Sequence, residues 1–308
     1  MSAQTFAENI VFNTSEPIRV IAPDPTQIFL RRAQRFEKLA VNHPLGDWLL
    51  FLAKLTHAQH EALQKFPQVM LAEPSSVKQR QGMPPLAATG WSRNAAWHGT
   101  ALNLINVAEK SLPDAGRQQL RSLHEASPER LEALADQLLR GKPDAKQAAV
   151  LPIIAAALQV YWTHMAAALG SKCLPPLHDT PGICPCCGSL PVVSIVRTDG
   201  PVTGLRYLHC SLCNTEWNLV RVKCAACDST AGIAYQRIEE RNDPISAETC
   251  DSCHSYLKIA YAAQDADVDP VADDLATLSL DFLVDEAGYQ RCGPNLLLVP
   301  GNVAPGNN

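Results

Sequence analysis

The chain has 308 residues, 46% of them hydrophobic and 19% charged, with a formal net charge of -5, a balance that fits globular domains and excludes wholesale disorder. Net negative charge gives no general attraction to phosphate backbones or anionic membranes, so nucleic-acid binding would need a local basic patch. Residues 184–264 carry no dense Lys/Arg stripe, and neither nucleic acid nor membrane insertion is expected.

The opening stretch "MSAQTFAENIVFNTSEP" lacks a basic region followed by an apolar one and has no twin arginine, which points to a cytoplasmic protein. From about 24 to 170 the signals are helical. Asp24-Pro25 reads as a cap and first-turn proline. The next segment places Ile28, Phe29, Ala33, Phe36, Leu39 and Ala40 on an apolar stripe with arginine and lysine on the other face. "HPLG" ends that helix, and Asp47 is a cap for a second. Further helices are predicted at about 92–110, 114–125, 127–140 and 143–169, the third of these capped by Ser127-Pro128-Glu129. The stretch 71–90 reads as a loop. The apolar run 148–170 approaches membrane-spanning length, but Pro152, Gln159, Thr163 and His164 interrupt it and its alanines suit a buried helix. His57 and His60, with Glu61 beside them, could form part of a metal site, yet no Glu-x-x-His motif lies nearby. They are read as surface or partner-facing histidines, as are His98, His124 and His164.

After about 171 the composition turns to proline, glycine and short β-branched runs: 191–196, 204–210, 218–224, 232–238 and 256–261 read as strands. A helix over 270–288 and the tail "LLLVPG" follow. The expected fold class is α plus small β: an N-terminal all-α domain (1–175), two tandem four-cysteine modules of rubredoxin-like or zinc-ribbon-like type (176–222 and 223–264), and a C-terminal helix and tail (265–308).

Eleven cysteines in a protein without an export signal favour metal ligation over disulfides. Cys184 and Cys187 are followed, after 22 intervening residues, by Cys210 and Cys213; Cys224, Cys227, Cys250 and Cys253 repeat the pattern forty positions later. Arg197 recurs as Arg237. This internal duplication gives two C-x2-C-x22-C-x2-C units. In C-x-x-C the turn directs both sulfurs and successive N–H groups at one point, so two turns enclose a tetrahedral ion. The residue after each second cysteine often needs a left-handed backbone, which Gly188 supplies, Asn214 and Asp228 tolerate and His254 tolerates least. Three pairings of the four turns are open; the duplication favours 184/187 with 210/213 and 224/227 with 250/253. Zinc and iron suit four thiolates alike. Arg197, Arg206, Arg221, Lys223, Arg237 and Arg241 lie close enough in sequence to offset the negative cage. The second cysteine of "CPCCG", Cys186, aligns with Ala226 and is expected outside the metal shell, as a tolerated small residue or as an exposed thiol beside the ion. Cys173 and Cys292 fall outside the repeat and are read as ordinary thiols.

The run "RYLHCSLCNTEWNLVRVKCAACDS", then "AETCDSC", "YLKI" and "VADDLATLSLD", resembles the formate dehydrogenase accessory protein FdhE family, and "HPLGDWLLFLA" and "NLLLVPG" extend the likeness over nearly the whole chain. The resemblance implies a cytoplasmic assembly factor that binds the immature catalytic subunit of formate dehydrogenase. It also implies iron, with zinc the alternative, held by Cys184, Cys187, Cys210, Cys213, Cys224, Cys227, Cys250 and Cys253. No catalytic constellation appears: there is no phosphate-binding glycine loop and no G-x-S-x-G, so the expected protein is not an enzyme. A rubredoxin-like electron carrier is the alternative, and a nucleic-acid-binding zinc ribbon a more distant one.

Overall fold

The computed structural model describes residues 17–71, 83–112, 114–171, 182–239 and 243–298. Helices α1 (Ile28–Ala40), α2 (Gly46–Gln64), α3 (Ala96–Ser111), α4 (Asp114–His124), α5 (Pro128–Leu139) and α6 (Leu151–Leu169) form the first half. A short strand, β1 (Val20–Ile21), precedes them. The Ser127 hydroxyl caps α5 by accepting from the Arg130 N–H, with Pro128 in the first turn, as the spacing predicts. The Asp24 carboxylate instead folds onto Thr26, and α1 begins at Ile28. Asp47 sits inside the first turn of α2 and makes no cap.

Helix α6 is the axis around which α2, α3 and α5 pack. It is long and apolar enough to cross a membrane, but 78% of that apolar window is buried inside the protein. The expected helix over 143–169 is divided: a single 3-10 turn (Ala145–Gln147) precedes Leu151. Pro152 explains the division, because proline lacks an N–H and its ring would strike the carbonyl four residues back. The polar residues that interrupt α6 are its docking points. The Gln159 amide donates to the Ser211 carbonyl at 2.8 Å and accepts from Gln59, while the Thr163 hydroxyl accepts from Asn214 at 2.8 Å.

The second half forms an eight-stranded sheet among the described residues. Its strands are β2 (Pro191–Val196), β3 (Arg206–Cys210), β4 (Glu216–Asn218), β5 (Ile233–Gln236), β6 (Ile245–Cys250), β7 (Ser255–Tyr261) and the two-residue β8 (Gln290–Arg291). The order is β1-β4-β3-β2-β7-β6-β5, with β8 on β7. Each module is thus a three-stranded antiparallel meander, and the two are fused by parallel pairing of β2 with β7, where Ser194, Ile195 and Val196 lie opposite Ile259, Ala260 and Tyr261. Because the first strand of one meander joins the last strand of the other, the outer edges differ. Strand β1 covers β4, whereas β5 is a bare edge with Ala234, Tyr235 and Gln236 exposed.

Several expectations change. No strand continues through 219–224, because Val222 takes φ +61° and breaks the extended run. Strand β6 was not visible as an apolar run, since "ISAETC" buries Ser246, Glu248 and Thr249. The C-terminal helix divides into α7 (Ala272–Ala276) and α8 (Leu278–Glu286) at Thr277. Buried Lys258 takes the Asp274 and Thr277 carbonyls, at 2.9 and 3.0 Å, that a continuous helix would have kept. Nor do all cations of α1 face water. Arg32 is fully buried against Asp269 and Asn214, and Arg35 makes a two-pronged bond to Asp273 at 2.8 and 2.6 Å. One apolar cluster runs through both halves, from Phe29 and Trp97 to Trp217 and Leu275.

Candidate metal centres

Each centre lies where two turns meet at one end of a meander. Cys184 and Cys187 form the turn ahead of β2, and Cys210 and Cys213 the turn between β3 and β4; Cys224 and Cys227 precede β5, and Cys250 and Cys253 join β6 to β7. The sulfurs gather in the grouping the repeat favours, all four of each set within 4.8 Å of one another. Cys184–Cys213 and Cys187–Cys210 are 3.6 and 3.4 Å apart, and Cys224–Cys253 and Cys227–Cys250 both 3.7 Å. Four sulfurs about 2.3 Å from a tetrahedral ion would stand roughly 3.8 Å apart. Both cages therefore fit a thiolate-bound zinc or iron, and the ligand set does not choose between them.

The turns are built alike. Gly188, Asn214, Asp228 and His254, each following a second cysteine, have φ of +77°, +57°, +65° and +53°. In three of them the N–H of that residue returns to the carbonyl of the first cysteine at 2.8 to 3.1 Å. Backbone N–H groups of Leu212 and Cys213 point at Cys210 Sγ, and that of Ala226 at Cys224 Sγ, which favours the thiolate form. Burial pushes the Cys184 and Cys210 thiols well up. Burial also opposes ionisation of Cys213, but its neighbouring thiols hold it well below the usual thiol range. In the second set burial is outweighed at Cys253, which the Ser255 hydroxyl and the Cys227 thiol bring down to about 7. Four sulfurs this close cannot all be anions without a cation among them.

The two centres differ in exposure. All four ligands of the first are buried, whereas in the second Cys227 is exposed and Cys253 half-buried. A segment of the helical half covers the first: Leu86 N–H donates to the Cys186 carbonyl at 2.9 Å and Ala88 N–H to the Cys187 carbonyl at 2.8 Å. Beside this knuckle is a cleft of about 530 Å³ lined by Pro84, Leu139, Gly188, Leu190 and Pro294 among others. Its walls come from widely separated parts of the chain, and include Cys184 and Cys187, so no local motif marks it.

Cys186 lies outside the four-sulfur group and is buried, 1% exposed; it is not an exposed thiol. Its thiol is pushed up chiefly by contact with Cys213. Cys292 is half-buried and held up to about 12 by burial. Cys173 and Arg241 lie outside the described residues. The cations expected to balance the cages are largely turned to carboxylates. Arg197 grips Glu216 at 2.6 and 2.8 Å, Arg206 pairs with Glu248 at 2.8 Å, and Lys223 pairs with Asp228 at 2.7 Å. His57 bonds Glu37, and His98 and His124 bond Glu132 and Glu109. Among the described residues none of these histidines, nor His60, joins a metal-sized cluster. His164 is partly buried beside Phe66, and that burial lowers its basicity.

Comparison with known proteins gives a consistent match. The family models "FdhE, N-terminal", "FdhE, central domain" and "FdhE, C-terminal domain" match residues 17–179, 183–221 and 222–298. A protein named FdhE homolog from Serratia proteamaculans is 40% identical over 279 residues, 89% of each chain, and one from Proteus mirabilis is 38% identical over 281 residues, 91% of each. The crystal structure of the FdhE protein from Pseudomonas aeruginosa superposes with a TM-score of 0.83 at 37% identity, covering 92% of this chain and all of that one.

Proposed function

The chain belongs to the FdhE family, and from that premise we propose that it is a cytoplasmic accessory factor for formate dehydrogenase. It binds the immature catalytic subunit before assembly is complete and performs no catalysis of its own. The observation that carries this reading is the pair of thiolate cages set on one sheet and braced by a helical body. Metal at such cages adds folding free energy directly, on the order of 10 kcal/mol per structural site, and so gives a partner a stiff surface. Iron is the metal the family resemblance implies; Cys184, Cys187, Cys210 and Cys213 would hold one ion, and Cys224, Cys227, Cys250 and Cys253 the other. When bound, iron would supply one-electron chemistry and zinc only rigidity.

The test uses the whole chain as bait, because the two halves share one apolar core. Full-length protein isolated from cells making formate dehydrogenase should retain its catalytic subunit, and cells lacking the chain should lose formate oxidation. If the subunit is neither retained nor affected, the accessory role fails. The exposure of Cys227 also favours the electron-carrier reading, which a colourless protein containing only zinc would remove.

A further inference from the structure

We propose that the two centres have different tasks. The first is a closed structural clamp, whereas the second holds its ion open to an incoming soft donor, such as a thiolate of a partner, on the side of Cys227. This rests on the metal reading of both cages.

Closure of the first centre rests on burial and on the segment packed over it. Its four cysteines are buried, the 86–88 segment is hydrogen-bonded across Cys186 and Cys187, and a Cβ at Gly188 would sit 3.2 Å from the Pro84 ring. Asn214, inside the other knuckle, is held by both Arg32 and Thr163. The cleft beside this knuckle is lined in part by Cys184 and Cys187, but at 0% and 1% exposure they offer a donor atom almost no sulfur surface there.

The second centre is open. Ala226, Cys227 and Asp228 are all exposed, as is the neighbouring edge strand β5. Two residues ahead of Cys224, Val222 is held in the left-handed region, which a β-branched side chain rarely adopts, and it is 50% exposed. Backbone strain of this kind clusters at working sites. Val220, in the stretch leading to Cys224, and Tyr235 on β5 are exposed as well. The step is ligand exchange without change of oxidation state. Cys227 Sγ would give up its place at the ion to the incoming donor, and the freed thiolate would take up the proton that the incoming thiol loses.

The test is metal release from the intact chain loaded with zinc, followed by mixing with excess pyridylazo-resorcinol and recording its absorbance. Two phases of equal amplitude are expected, the faster at least tenfold quicker than the other. Full-length Cys227→Ala should hold one ion and show only the slow phase at its original rate. Release of both ions at one rate, or loss of the slow phase in Cys227→Ala, would overturn the proposal. A chain that takes up fewer than two zinc ions would overturn the metal reading as well. Failure of the partner-binding experiment leaves these rates untouched, so the two readings fail separately.

Discussion

Cys184, Cys187, Cys210 and Cys213 close a cage beneath the helical half, while their counterparts forty positions on close the same cage at an open edge. The local pieces are interchangeable: two knuckles, three strands and a left-handed residue after each second cysteine. What differs is the company each module keeps. In the first, Arg197 grips Glu216, which also meets His209. In the second, Arg237 stands where Arg197 did, but Tyr256 stands where Glu216 did, and Tyr256 bonds Asp281 on α8 instead. Duplication copied the cage; the surroundings made one copy a buried clamp and left the other open.

The link between the modules offers the largest lever. Arg206, from the strand leading to Cys210, pairs with Glu248, from the strand leading to Cys250, with side chains 0% and 3% exposed. The same guanidinium donates to the Lys223 carbonyl at 2.8 Å, just ahead of Cys224. Removing one member of a buried pair strands the other and costs about 3–5 kcal/mol. Arg206→Met should therefore lower the stability measured by denaturant unfolding by that amount. The double variant Arg206→Met with Glu248→Leu should recover much of the loss. If Arg206→Met costs less than about 1 kcal/mol, the modules are not coupled through this pair.

A smaller effect distinguishes the first module by its acid. Burial pushes the Glu216 carboxyl up, but the His209 bond and the Arg197 guanidinium outweigh it and bring it down to about 2. A carboxyl depressed in the folded state stabilises above its unfolded value, and that stability is lost as pH falls from about 4.5 towards 2. The amount is on the order of 3 kcal/mol. Asp273, raised by burial to about 6, works in the opposite sense between its unfolded value and that pH. The informative quantity is therefore the difference between wild type and Glu216→Gln. Unfolding free energies compared from pH 5 to 2.5 should show a shallower loss for Glu216→Gln; parallel curves would contradict the assignment.

The knuckles were legible in the sequence because each depends on four or five adjacent residues and on a repeat that chance does not produce. Gly188, Asn214 and Asp228 suit the left-handed region by residue type, whereas His254, expected to fit it least, adopts it all the same at φ +53°. The rest depends on partners far along the chain. Arg32 reads as a surface residue on an amphipathic helix until Asn214, 182 residues away, and Asp269 arrive beside it. The break at Thr277 comes from Lys258 on β7, and β6 hides as "ISAETC" because Arg206 and neighbouring strands, rather than apolar side chains, bury it. The parallel seam between β2 and β7 has no local signature, since either strand would look the same in two separate modules.

The smallest test compares equivalent positions in the two modules. Gly188 and His254 each follow the second cysteine of a turn, with φ of +77° and +53°. At Gly188 any side chain meets both the left-handed penalty and the Pro84 ring, 3.2 Å from a Cβ, so Gly188→Ala should destabilise by about 1–2 kcal/mol. At His254 the penalty is already present, and the ring makes only a tilted contact with Tyr289 at 6.2 Å. His254→Gly relieves the left-handed strain, but the glycine loses more chain entropy on folding, leaving a net gain of about 0.5 kcal/mol. Thermal melting of the metal-loaded protein should rise by roughly 1–2 °C for His254→Gly and fall for Gly188→Ala. Opposite signs at equivalent positions would show that the fourth turn carries strain the first does not. A fall in both would mean that the His254 ring does more for the open centre than its contact with Tyr289 suggests.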